Sequence, residues 1–261
     1  MGLHTGAVEG PPRLEFDAAG RATVTLARPR HHNRLHREDL LALQDHFKTV
    51  AAAPAARLLV LTARGPSFCA GFHLGELGAG DGSAEPQLFE RTVDALEALP
   101  LPTVARLNGS VYGGATDLAL ACDFRIGVAG MELRMPAARL GLHYYPGGLR
   151  RYVSRLGLGA AKRLFLLAEA VAADELLRIG YLDECVGAEA LDARIAAYAA
   201  ALEAGAPLAV KGMKASLDEI ARGDFDLPRL REREALCAGS ADLREGLAAY
   251  AAKRAPHFSG S

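Results

Sequence analysis

Two glycine-containing segments carry residue types that could present main-chain N–H groups to a ligand. Residues 67–74 read Ser-Phe-Cys-Ala-Gly-Phe-His-Leu, and residues 108–115 read Asn-Gly-Ser-Val-Tyr-Gly-Gly-Ala. Each segment follows a short apolar run that is typical of a buried strand, and the second leads into a run typical of a helix. Glycines at such positions let a ligand approach the main chain, and the first turn of a helix has N–H groups without an intrahelical acceptor.

Two N–H groups directed at one oxygen atom form an oxyanion hole. Each donor in such a hole typically stabilises the transition state by roughly 3–4 kcal/mol. The same glycines could instead do no more than build tight turns between strands and helices. Because two such segments occur in one chain, the sequence favours an oxyanion hole.

Other kinds of site have weaker support in the sequence. Ser110 lies near the second segment, but residues 109–113 do not match the G-x-S-x-G turn of a serine hydrolase. No G-x-G-x-x-G motif follows a first strand, so dinucleotide binding is not favoured. The spacing of the four cysteines predicts neither a zinc site nor a disulfide framework. These cysteines are Cys69, Cys122, Cys185 and Cys237.

Length and composition limit the class of protein. The chain has 261 residues, of which 50% are hydrophobic, and a formal net charge of -1. It is long enough for one α/β core, with or without a small added domain. The near-neutral charge argues against nucleic acid as a partner. Residues 1–10 do not resemble a signal peptide, and no run of about 18 apolar residues occurs, so we expect a cytoplasmic protein without a membrane span.

Strands and helices alternate through the first half of the chain. Residues 13–28 alternate apolar and polar types around a turn, which predicts a β-hairpin. Apolar runs predict strands at 57–62, 103–107 and 124–128, and helical periodicity predicts helices at 38–50, 86–99 and 113–121. The last third is helical, with predicted helices at 160–168, 172–180, 189–204, 207–221 and 241–253. This order of elements predicts an α/β layer architecture followed by a helical region.

The same segments resemble the crotonase family, also called the enoyl-CoA hydratase/isomerase family. Residues 68–74 are similar to the first oxyanion loop of that family, and residues 108–123 are similar to the second. The resemblance continues through Met135-Pro136 and residues 140–148, and covers about residues 13–255. It implies a ββα spiral core over residues 1–195 and a C-terminal helical region over 196–261. That region would pack on neighbouring subunits in a homotrimer or homohexamer.

The resemblance also assigns catalytic positions. The oxyanion donors would be the main-chain N–H groups of Phe72 and Gly114, and the two acid positions of the hydratases fall on Asp117 and Ala137. Alanine cannot transfer a proton, and the loss of one acid group slows such a step by roughly 10²–10⁴-fold. A single carboxylate at Asp117 suits double-bond isomerisation better than water addition. A substrate that closed over Asp117 would raise its pKa towards neutrality.

Further positions are implied around this centre. His143, Tyr144 and Tyr145 stand where some members carry functional side chains, so they are possible auxiliary groups or else line the acyl pocket. The resemblance places coenzyme A contacts at Arg30, His31, Ala70, His73, Leu74 and Lys253. Three acidic residues near the pocket are expected on solvated surface: Glu76, Glu90 and Asp94.

The sequence is therefore interpreted as an enzyme that holds an acyl-CoA thioester and stabilises its enolate. An enoyl-CoA isomerase or hydratase is the simplest such enzyme, with no metal and no cofactor beyond the coenzyme A of its substrate. Two alternatives stay open. One is an acyl-CoA-binding protein without catalysis, and the other is a different enolate reaction such as decarboxylation or carbon–carbon cleavage.

Overall fold

Nine strands and nine α-helices form the part of the chain that the computed structural model describes, residues 9–76 and 87–261. The strands are β1 (Gly10–Phe16), β2 (Arg21–Ala27), β3 (Leu58–Ala63), β4 (Thr103–Leu107), β5 (Val111–Tyr112), β6 (Phe124–Val128), β7 (Glu132–Arg134), β8 (Ala170–Ala172) and β9 (Glu184–Val186). The helices are α1 (Arg37–Ala52), α2 (Leu88–Glu97), α3 (Gly114–Leu120), α4 (Pro146–Lys162), α5 (Ala173–Arg178), α6 (Leu191–Glu203), α7 (Pro207–Arg222), α8 (Leu227–Ala238) and α9 (Ala241–Ala251).

The strands form two sheets. The larger has the order β1-β2-β3-β4-β6-β9, in which only the β1–β2 hairpin is antiparallel. Parallel strands need crossover connections and are usually covered on both faces. This explains why four successive residues of β3, numbers 58–61, are all buried. The smaller sheet has the order β5-β7-β8 and lies beside the second glycine segment.

The predicted fold class is confirmed, and most predicted elements occur within a few residues of their expected bounds. The hairpin, the strands at β3, β4 and β6, and the helices α1 and α3 are all present. Strands β5, β7, β8 and β9, helix α8 and the first half of α4 were not predicted. The start of the helix predicted at 86 lies outside the described residues, and α2 is observed from Leu88.

The predicted division after residue 195 falls inside α6. This helix runs without interruption from Leu191 to Glu203 and packs against β3, β4 and β6. All of α6 therefore lies with the larger sheet, and the helices beyond it are α7, α8 and α9. No helix of the described residues is long and apolar enough to cross a membrane.

Main-chain hydrogen bonds hold the two glycine segments and the start of α1 side by side. Leu35, just before α1, donates to the Gly71 carbonyl at 2.9 Å and accepts from the His73 N–H at 2.9 Å. Between the two segments, the Phe68 N–H donates to Ser110 at 3.1 Å and the Tyr112 N–H donates to Cys69 at 3.0 Å. The segments are thus joined like short parallel strands, with Cys69 opposite Val111.

Candidate active site

Phe72 and Gly114, whose main-chain N–H groups are the paired donors that the family resemblance implies, line the same cavity. Each donor follows a glycine with positive φ, Gly71 at 87° and Gly113 at 54°. A side-chain carbon on Gly71 would lie 2.7 Å from the Tyr112 carbonyl oxygen and 3.0 Å from the Gly114 nitrogen. Only glycine permits this approach. Within the described ranges, neither the Phe72 nor the Gly114 N–H donates to a protein acceptor.

The cavity has a volume of about 270 Å³ and mainly apolar and aromatic walls. The ring of Phe89 lies 6.1 Å from that of Phe72 and 6.0 Å from that of Tyr145. Tyr144 and Tyr145 stack at 4.3 Å on the opposite wall. Walls of this kind exclude water and strengthen the few polar contacts that a ligand makes.

Asp117 does not line the cavity. Its side chain is fully buried behind Tyr144 and Tyr145, and its Oδ2 accepts hydrogen bonds from the Tyr145 hydroxyl and from Arg151 Nη1, the latter at 2.7 Å. Burial raises the pKa of Asp117 above its ordinary value, although the neighbouring Arg151 and Tyr145 oppose the rise. The acid/base role of Asp117 stays a prediction. Because the Tyr145 hydroxyl lies between Asp117 and the cavity, that role depends on this hydroxyl.

Arg151 joins three helices through charged contacts. It lies on α4, is completely buried, and contacts Asp117 of α3 as well as two acids of α2, Asp94 at 2.7 Å and Glu97 at 3.0 Å. The Asp94 side chain is 45% exposed, in keeping with the solvated surface expected for it, and this ion pair holds it against α4. Burying such charges is tolerable only when they are paired. The sequence signal that could have indicated this cluster is the presence of acids on α2 and arginines on α4.

The second acid position of the family pattern, Ala137, carries no group that can transfer a proton. Ala137 is 4% exposed and lines the cavity at the start of a short 3-10 turn, Ala137–Leu140. A methyl group there extends the apolar wall. Ser110 has a structural contact, because its Oγ accepts a hydrogen bond from the Glu132 N–H at 3.0 Å.

The three possible auxiliary residues all line the cavity. His143 is exposed at its rim, with Nδ1 2.8 Å from the Tyr144 carbonyl oxygen. Burial, together with the Asp117 charge, raises the pKa of both Tyr144 and Tyr145 well above the ordinary phenol value. Both phenols are therefore neutral near pH 7, and each donates its proton within the protein: Tyr144 to the Tyr145 hydroxyl and Tyr145 to Asp117.

The predicted coenzyme A positions differ in their relation to the cavity. Ala70 lines the cavity, whereas Arg30, His31 and Lys253 are exposed outside its lining. Leu74 opens a short 3-10 turn, Leu74–Glu76. His73 also lies outside the lining, and its ring stacks on that of His36 at 4.9 Å. Their contacts with coenzyme A stay predictions.

One group of possible metal ligands exists among the described residues. His36, His73 and Glu76 bring ligand atoms within 4.8 Å of one another. The His36 and His73 rings stack with 24° between their planes. Glu76 instead bonds His36 Nδ1 at 2.6 Å and the Arg37 N–H at 2.9 Å, so it fixes the start of α1 and is only partly exposed. We assign the group to that role.

Glu90 is the residue whose place the sequence misjudged most. It was expected on solvated surface, but it is partly buried and lines the cavity from α2. Its Oε1 accepts a hydrogen bond from the Gly147 N–H at the start of α4, at 3.2 Å. This placement depends on how α2 packs over the second glycine segment, which the sequence does not reveal.

Comparison with known proteins agrees with the geometry. The chain matches the family model described as enoyl-CoA hydratase/isomerase over residues 17–261. It is 32% identical to a crotonyl-CoA hydratase of Syntrophomonas wolfei over 243 residues, covering 91% of this chain and 94% of that protein. It is 34% identical to a probable enoyl-CoA hydratase of Rhodobacter capsulatus over 252 residues, covering 92% of this chain and 95% of that protein.

Solved structures give the same result. A Magnetospirillum magneticum protein described as an enoyl-CoA hydratase/carnithine racemase superposes with a TM-score of 0.90 at 26% identity, over 97% of both chains. This chain belongs to the enoyl-CoA hydratase/isomerase family, and the resemblance to crotonases is confirmed.

The first prediction concerns the peptide that carries the Gly114 N–H. Gly113 has φ 54° and ψ -131°, which a residue with a side chain adopts only at a cost of about 1–3 kcal/mol. Gly113→Ala should rotate this peptide and lower kcat on an enoyl-CoA at least tenfold. Gly223→Ala is the control, because Gly223 has φ 72° at the end of α7, far along the chain from the loops. Equal kcat losses in both variants would contradict the assignment.

The second prediction concerns the buried charges. Arg151→Met should destabilise the fold by about 3–5 kcal/mol because Asp117 keeps a buried charge without its cation. The pKa of Asp117 then rises further, so the variant loses stability as pH rises through that pKa. The deficit should therefore be larger at pH 8 than at pH 5 in urea unfolding. Arg150→Met removes an exposed partner of Glu97 and should cost no more than about 1 kcal/mol.

Proposed function

We propose that this protein binds an acyl-CoA thioester and stabilises its enolate, and that it isomerises the double bond of an enoyl-CoA in preference to adding water. The observation that carries the proposal is the pair of N–H groups at Phe72 and Gly114, which border one apolar cavity and have no acceptor among the described residues. The crotonyl-CoA hydratase and enoyl-CoA hydratases among its relatives support a thioester substrate.

Enolate formation places negative charge on the thioester oxygen. Two fixed N–H donors compensate that charge as it develops, and each contributes roughly 3–4 kcal/mol. The donors are held by main-chain bonds before a substrate arrives, so little reorganisation accompanies the reaction. The aromatic walls keep competing water away from the charge.

The preference for isomerisation follows from the groups around the cavity. Water addition needs one group to activate water and another to protonate carbon. Ala137 supplies neither, and Asp117 is reached only through the neutral Tyr145 hydroxyl. We therefore propose that Asp117 acts indirectly, by holding the Tyr145 hydroxyl in position beside the substrate. The coenzyme A of the substrate is the sole cofactor in this proposal.

We also propose a cytoplasmic homotrimer or homohexamer. Large apolar side chains stand exposed on the last helices, including Leu217 of α7 at 66% exposure and Leu247 of α9 at 63%. Exposed apolar surface marks contact with another chain when it forms a large patch. Packing against neighbouring subunits would cover it.

A second candidate is an acyl-CoA-binding protein without turnover. The observations that favour it are Ala137 at the second acid position and the sealed ion pair of Asp117 with Arg151. This candidate keeps the oxyanion donors as a binding site. It differs from the enzyme in having no proton-transfer group that reaches the substrate.

A substrate panel separates these functions. Wild-type protein is assayed with 2-enoyl-CoA and 3-enoyl-CoA esters of several chain lengths, and coenzyme A ester binding is measured by calorimetry. We expect 3-enoyl-CoA isomerisation with kcat at least tenfold above hydration, since only one proton needs to move. Binding without turnover would support the second candidate, and absence of binding to every ester would refute both.

Tyr145→Phe tests the link to Asp117. Loss of the hydroxyl should lower kcat about 10²-fold and leave KM within threefold, because the phenyl ring keeps the wall intact. Tyr198→Phe removes a hydroxyl that bonds Glu184 away from the cavity and should leave kcat unchanged. Steady-state kinetics of both variants gives the comparison, and a kcat for Tyr145→Phe equal to that of wild type would exclude a role for the link.

A further inference from the structure

We infer that Glu90 is the catalytic base of this site, the carboxylate that removes the substrate proton from carbon and returns it. The inference rests on the proposed enolate function and assigns to α2 a role that neither acid position of the family pattern supplies here. Its basis is the position of Glu90 in the cavity and the state of the other ionisable groups around it.

Helix α2 carries Glu90 to the wall that adjoins the second donor. The Phe89 ring packs on Gly114 so closely that a side-chain carbon on that glycine would lie 2.6 Å from its Cζ. Glu90 is the next residue and also lines the cavity. The first turn of α2 therefore places a carboxylate in the same cavity as the oxyanion donors.

The carboxylate is held in place and still has an oxygen for substrate. Oε1 accepts the Gly147 N–H at 3.2 Å, and Oε2 has no hydrogen-bond partner among the described residues. Gly147 lies in the first turn of α4, whose dipole stabilises a nearby anion. Asp94 approaches the same turn, but Arg151 neutralises it at 2.7 Å.

The other ionisable groups of the cavity are less suited to accept a proton from carbon. Tyr144 and Tyr145 are neutral phenols beside the Asp117 charge. The Tyr112 hydroxyl donates to Glu132 at 2.9 Å. His143 is exposed at the rim. Among the described residues that line the cavity, Glu90 alone carries a carboxylate, and it is partly buried.

The proton transfer balances within the site. The Glu90 carboxylate takes a proton from C2 of a 3-enoyl-CoA, and the electron pair of that C–H bond forms the dienolate. Charge collects on the thioester oxygen, to which the Phe72 and Gly114 N–H groups donate. The Glu90 carboxylic acid then returns the proton to C4 as the C2–C3 double bond forms, so no proton is gained or lost.

Glu90→Gln tests the inference, because glutamine keeps the shape and can still accept the Gly147 N–H. The probe is trans-3-hexenoyl-CoA in D₂O, with C2 deuterium exchange and isomerisation followed by NMR, and coenzyme A ester binding followed by calorimetry. We expect both rates to fall at least 10²-fold with Kd within threefold of wild type. Glu90→Asp should retain an intermediate rate, and Glu234→Gln on the exposed face of α8 should match wild type.

The possible results separate the inference from the proposed function. If Glu90→Gln exchanges C2 hydrogen within threefold of the wild-type rate, the role of Glu90 is overturned and enolate chemistry stands. The same conclusion follows if exchange is lost in His143→Gln but not in Glu90→Gln. Wild-type protein that binds the ester but neither exchanges C2 hydrogen nor isomerises it would overturn both. Loss of exchange in Glu90→Gln with binding intact supports the base.

Discussion

Main-chain N–H groups that lack an acceptor beside an apolar cavity are unfavourable, and among the described residues Phe72 and Gly114 each carry one. Native proteins pair nearly all such groups, so the surrounding structure must hold these two open. The hydrogen bonds that join the two glycine segments to each other and to Leu35 do so. The glycines at 71 and 113 and the aromatic walls follow from this arrangement, and in the proposed function the acceptor is a thioester oxygen.

A second constraint comes from the buried charges behind the cavity. Arg151 ties α4 to Asp117 of α3 and to Asp94 and Glu97 of α2, so three helices share one ion cluster. This cluster gives Asp117 a structural partner and separates it from substrate by the Tyr145 hydroxyl. The same packing turns Glu90 towards the cavity. The packing of these helices therefore separates a carboxylate buried in the ion cluster, Asp117, from one that lines the cavity, Glu90.

The fold was largely predictable because its signals are local. Hydrophobic runs identified β3, β4 and β6, and the turn at 17–20 identified the hairpin. The short strands β5, β7, β8 and β9 were missed because two or three residues carry no periodicity and pair only through tertiary contacts. The first half of α4 was missed because glycines at 147 and 148 lower helix propensity, and packing against α2 and α3 overrides that preference. Gly157, with φ 79° and ψ 159°, is not helical and kinks α4.

The sequence by itself determined the family, the paired donor loops and the absence of an acid at Ala137, because each is a matter of residue type and order along the chain. Only the tertiary structure decided which carboxylate faces the cavity. Asp117 and Glu90 both lie on helices beside the site, and sequence spacing favoured Asp117. The direction of each side chain depends on how α2, α3 and α4 pack around Arg151, and that packing joins residues more than 50 positions apart.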